Sequence, residues 1–71
     1  MKCTFKDDYT EVYENEITIV VIQLCNSIRN YWSVATKDKG GEMHTVATRC
    51  TYIRAKNMVR ELLCECYIKG E

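Results

Sequence analysis

His44 and the Cys64-Glu65-Cys66 pair are the residues of this 71-residue chain whose types most readily suggest chemistry. His44 is the single histidine and stands beside a glycine turn, so as a general base it would lack a partner to tune its pKa. It reads as a surface histidine. The two cysteines lack the two-residue spacer of a zinc knuckle, and no second pair follows, so a zinc site would need Cys50 and His44 to converge on them. A redox dithiol is the other functional reading of that pair. Glu14 and Glu16 lie two residues apart, which on a helix puts them on different faces and prevents a shared acid–base role. Gly40-Gly41 leads into a strand pattern rather than a helix, so it is no phosphate-cradling loop. No Ser-His-Asp grouping has an arguable spacing. The expectation is no catalytic residue, no metal ligand and no cofactor, with enzyme the least supported class.

Three groups of residues suggest binding instead. Asp7, Asp8, Glu11 and Glu14, with Glu16, form an acidic opening that either caps a helix or mimics a phosphate track facing a basic partner. Ile19 and Ile22 stand off the main apolar stripe of that helix, ringed by Asn15, Gln23 and Asn26. This is the composition of a small protein–protein or homodimer contact unless a second layer covers it. Arg49, Arg54, Lys56 and Arg60 gather around the start of a later helix, where the dipole disfavours cations. They contact phosphates, or they pair with the acidic segments.

Positioning these groups falls to few elements. A chain this short makes one domain, residues 1–71, with a thin core and no deep interlobe cleft. The apolar share of 46 % and charged share of 28 % are those of a globular domain rather than a disordered chain. Ten basic and ten acidic side chains cancel, but unevenly. Residues 1–16 hold two lysines against five acids, and residues 29–60 hold seven cations against two acids. The uncharged run 17–28 is too short to cross a bilayer and lacks the basic lead-in of a signal peptide. Five scattered cysteines are an odd number, which reads as reduced thiols in a cytoplasmic protein.

Residues 1–6 alternate as a short strand. The Asp8-Tyr9-Thr10-Glu11 box and apolar residues at three- and four-residue steps predict a helix over residues 9–28, although the β-branched run 17–22 favours a strand on propensity. Residues 31–37 and 43–50 flank Gly40-Gly41 as a hairpin, with Trp32, Val34 and Thr36 on one face. Thr51 caps a second helix over 52–68, whose stripe is Tyr52, Ala55, Val59, Leu62, Leu63 and Cys66, with Gly70 at its end. The predicted fold is α+β: a small (β)αββα domain with two helices on a hairpin-based antiparallel sheet.

Ala47-Thr48 followed by Tyr52-Ile53-Arg54-Ala55-Lys56-Asn57-Met58-Val59, after a hairpin bearing Trp and Tyr, resembles small phage-encoded proteins with an α-β-β-α sandwich domain over residues 31–63. The proline usual before their helix is absent. The Ala55-Lys56-Asn57 segment is also similar to the last helix of double-stranded RNA-binding domains, with Tyr52 and Ile53 where that family has lysines. The first resemblance implies a phage or mobile-element protein that binds and blocks a host protein or nucleoprotein complex, CRISPR–Cas machinery included. The expected function is therefore non-enzymatic inhibition by surface occupation, without a membrane role. A nucleic-acid-binding module using Arg49, Arg54, Lys56 and Arg60 is the alternative.

Overall fold

A computed structural model describes residues 2–70, and the surroundings of side chains from Lys2 to Leu63. Five strands run in sequence order as an antiparallel meander: β1 (Lys2–Lys6), β2 (Thr10–Glu14), β3 (Thr18–Asn26), β4 (Tyr31–Asp38) and β5 (His44–Cys50). One helix, α1 (Tyr52–Gly70), follows and lies on one face of the sheet, chiefly over β3 and β4.

The helix expected over residues 9–28 is replaced by two strands, and with it the two-helix (β)αββα arrangement. Turn chemistry decides this. Asp7 Oδ1 accepts hydrogen bonds from the amides of Tyr9 and Thr10, both at 2.8 Å, and closes the β1–β2 turn. Asn15 Oδ1 does the same for Ile17 at 2.9 Å and Thr18 at 2.8 Å, closing the β2–β3 turn. Asx turns of this kind offer the backbone an alternative to the helix. Between them, Glu11 and Tyr13 point inward and Val12 and Glu14 outward, the two-residue period of a strand. The run from Thr18 to Ile22 then follows its β-branched propensity. Glu11 caps no helix, because its carboxylate is buried under α1.

The remaining elements agree with the sequence pattern. The hairpin of β4 and β5 turns at Gly40, whose φ of 92° needs glycine, with the Gly41 amide donating to the Asp38 carbonyl at 2.8 Å. Trp32, Val34 and Thr36 share the buried face. The Thr51 hydroxyl caps α1 by accepting from the Arg54 amide at 3.2 Å. Ala55, Val59 and Leu63 press into Val20, Ile22 and Val34, with Tyr13, Trp32 and Cys50 around them. Tyr52 and Leu62 flank this core, while the side chain of Cys66 lies outside the described residues. Asn15 ties the sheet to the helix, donating from Nδ2 to the Leu63 carbonyl at 2.8 Å.

Both sheet edges are blunted. β1 carries Lys2 and Lys6 and is exposed throughout, and β5 is interrupted where its register with β4 slips twice. At the second slip Arg49 takes a φ of 58°, a left-handed conformation that costs a non-glycine residue roughly 1 kcal/mol. Arg49→Gly is expected to leave stability unchanged or raise it by up to about 1 kcal/mol, read as the urea midpoint. A loss of more than that would mean that the Arg49 side chain holds the β5–α1 corner.

Candidate binding surface at one end of the sheet

The connectivity brings the β1–β2 turn, the β3–β4 turn, the end of β5 and the start of α1 to the same end of the molecule. Local bonds build that end. The Leu24 amide donates to the Tyr9 carbonyl at 2.7 Å, docking the first turn against β3. Asn26 Oδ1 accepts from the Arg29 amide at 3.1 Å, and Asn30, with φ 57°, accepts from Trp32 Nε1 at 3.2 Å, shaping the second turn. The Trp32 and Tyr52 rings meet with centroids 5.0 Å apart and seat the first turn of α1 on the sheet.

Three large apolar side chains are left in water there: Ile28 is 94 % exposed, Ile53 73 % and Tyr9 59 %. Among the described residues these are the three most exposed large hydrophobics. Arg29, Arg49 and Arg54 are exposed at the same end. Arg49 and Arg54 line a cleft of about 560 Å³ with Thr48, Thr51 and Met58, at the N-terminus of α1, whose first turn holds no acid. The helix dipole and two guanidinium groups give that cleft a positive potential.

The basic set expected from the sequence is thus divided. Arg49 and Arg54 come together, whereas Lys56 turns inward on the other flank of α1. Its Nζ donates to Tyr13 Oη at 2.7 Å and lies 3.6 Å from Glu11. Arg60 bonds Asn57 at 3.1 Å, two turns further along the helix.

The acidic and isoleucine set is divided as well. Glu11 is 3 % exposed and Ile22 fully buried, so neither reaches a partner. Ile19 points to the opposite face of the sheet from Ile22, because an odd step of three positions along a strand changes the side. Glu14 pairs with Lys39 at 3.1 Å, and that hydrogen bond holds its carboxyl below the usual range. Asp7 and Asn15 are committed to their turns, leaving Asp8 exposed beside Tyr9.

Beneath this end lies a closed polar cluster. Glu11 accepts from the Tyr13 hydroxyl and, at 2.7 Å, from the Tyr52 hydroxyl. Lys56 Nζ sits 4.8 Å from the Tyr13 ring centre and 5.6 Å from that of Tyr52. Burial pushes the Glu11 carboxyl up, but the two tyrosine hydrogen bonds and the Lys56 charge outweigh it and bring the pKa below 4.5. Burial and Glu11 raise Tyr13, and the Glu11 hydrogen bond and burial raise Tyr52. These polar groups satisfy one another and tie α1 to β2 through Tyr52 and Lys56.

His44 and Cys50 lie at opposite ends of β5, about 20 Å apart at strand spacing, and so do not converge on one metal. The side chains of Cys64 and Cys66 lie outside the described residues. No described helix is long and apolar enough to cross a membrane.

Tyr9, Ile28, Arg29 and Ile53 are not among the binding residues expected from the sequence. Two signals were available: Ile28 is the lone apolar residue in Asn26-Ser27-Ile28-Arg29-Asn30, and Ile53 stands off the stripe of α1. Comparison with protein-family models, curated proteins and solved structures finds no match.

Proposed function

We propose that this protein is a non-enzymatic binding protein that acts by occupying a partner's surface with the end carrying Tyr9, Ile28, Arg29, Arg49, Ile53 and Arg54. The observation that carries this reading is the exposure of Ile28, Ile53 and Tyr9 beside three arginines. Holding such side chains in water gives the fold nothing. Tyrosine and arginine are also the types that dominate binding energy when an interface closes over them. The positive cleft favours an anionic partner surface, such as an acidic protein patch or the phosphates of a nucleoprotein.

The concrete form of the proposal is a cytoplasmic, phage-encoded inhibitor of a host defence complex, anti-CRISPR in type. Its test is phage plating on a host with an active CRISPR–Cas system. Expression of the protein is expected to restore plaques, and Ile28→Ser/Ile53→Ser is expected to lose at least about tenfold of that effect. The thermal midpoint of the double variant should stay within a few degrees, because both side chains are exposed. Restoration by the folded double variant equal to the parent would overturn this surface as the contact.

Arg49 and Arg54 at the mouth of the cleft favour one second reading, direct nucleic-acid binding. It would appear as a gel shift of duplex or single-stranded probes that weakens steeply with salt and is reduced in Arg49→Ala/Arg54→Ala.

A further inference from the structure

The face of the sheet away from α1 has no covering layer among the described residues. Strand register arranges its side chains in rows. Phe5, Val12, Val21, Ala35 and Thr45 are successive cross-strand neighbours from β1 to β5. The next row toward the end holding the β2–β3 turn is Lys2, Glu14, Ile19 and Lys37. The row on the other side is Thr10, Gln23 and Ser33. Phe5 is 52 % exposed, and Val12, Ile19, Val21 and Ala35 are half-buried by their neighbours alone.

We propose that this face binds a second copy of the chain, two sheets packing face to face about a two-fold axis along β3. Such an axis leaves β3 over its own copy, sets β2 over β4 of the partner copy, and sets β1 over β5. Each row then meets itself in reverse. Val21 lies on Val21 and Val12 on Ala35, while the bulky Phe5 meets the small Thr45. In the neighbouring row Ile19 lies on Ile19, and Glu14 faces Lys37 twice over, once on each side of the axis. In the third row Gln23 meets Gln23, and Thr10 meets Ser33. Apart from Phe5 over Thr45, the apolar groups of these rows meet apolar groups, and Glu14, which holds Lys39 of its own chain at 3.1 Å, also meets Lys37 of the copy. The usual −30° rotation between packed sheets offsets the outer pairs more than the central ones, which puts most weight on Val21, Ile19 and the Glu14–Lys37 pairs.

The area sets the strength. At about 4.8 Å between strands and about 3.4 Å per residue the sheet covers about 550 Å², so two copies bury about 1,100 Å². That is near the lower limit for a specific interface. The dimer is therefore weak and concentration-dependent, and it leaves the turn end with Ile28 and Ile53 free.

Sedimentation equilibrium over a range from about 5 µM to about 1 mM tests this, with circular dichroism reporting the fold. The parent chain should move from monomer to dimer within the range, with weaker association at high salt. Glu14→Lys and Lys37→Glu should each weaken the dimer about tenfold, since each sets like charges together twice. The swap Glu14→Lys/Lys37→Glu should restore it to within about threefold. Val21→Glu, if folded, should be monomeric throughout. A parent chain still monomeric at 1 mM would overturn the proposal and leave the face to a partner of other sequence. So would charge reversals that each leave the dimer unchanged, or a swap that fails to rescue it.

Discussion

Ile22→Ser is expected to destabilise the protein by about 4 kcal/mol or more, whereas Ile19→Ser, three residues away, should cost about 1 kcal/mol or less. Ile22 is fully buried between β3 and α1, against the core that Val59 and Val34 share. Its truncation forfeits the transfer energy of a whole side chain, opens a cavity and strands a hydroxyl without a partner. A domain of this size has about 4–10 kcal/mol in total, so the Ile22 variant should be largely unfolded at 37 °C. Ile19 lies on the uncovered face and is already partly hydrated. Urea denaturation of the two single variants distinguishes the sheet from a helix over residues 9–28. In such a helix the two residues would share one face, and their losses would be similar.

The second large effect belongs to Glu11. Glu11→Leu removes the acceptor of two tyrosine hydroxyls and the counter-charge of Lys56, which is inward-facing with its side chain 26 % exposed. Breaking a buried pair from one side costs about 3–5 kcal/mol, and the partial exposure of Lys56 favours the lower figure. Lys56→Met should cost less, about 2 kcal/mol, because the tyrosines still solvate the carboxylate. The double variant Glu11→Leu/Lys56→Met should be more stable than Glu11→Leu alone, since no charge is then stranded. A coupling of 1–3 kcal/mol is about what contacting partners show. Strict additivity of the two single losses would remove the cluster as a unit.

The same cluster predicts a stability plateau with two limbs. The folded pKa of Glu11 lies below its ordinary 4.5, so its contribution is present above pH 4.5 and is lost as the pH falls through the depressed value. Tyr13 and Tyr52 are raised above 10, so their contribution is full below pH 10 and is lost as the pH rises through their folded values. In Glu11→Leu the acid limb should flatten to what Glu14 and Lys39 leave, and the alkaline limb should shrink without vanishing, because burial also raises both tyrosines.

The elements legible in the sequence are those whose signals are local and agree with one another. The β4–β5 hairpin combines a glycine pair with strands rich in Tyr, Trp, Val and Thr. α1 combines an N-cap threonine with an unbroken stripe from Tyr52 to Leu63. Residues 9–28 carry conflicting signals. Their apolar residues fit a three-to-four step, and their β-branched run fits a strand. Periodicity cannot arbitrate a stretch that alternates over the five residues of β2 and then runs apolar without alternation from Ile19 to Ile22 of β3. Asn15 was the deciding residue, and its weight as a turn former is visible only once its side chain is seen holding Ile17 and Thr18.

The amino-acid sequence by itself determined the β4–β5 hairpin and the capped helix that follows it, because each follows from neighbouring residues. Only the tertiary structure decided that Glu11 and Ile22 are interior, that Lys56 parts from Arg49 and Arg54, and that Tyr9, Ile28 and Ile53 share one end. Those relations span up to 44 residues of chain. They depend on which strand pairs with which and on which face the helix covers, and a shift of one residue along β2 or β3 would turn Glu11 or Ile22 outward.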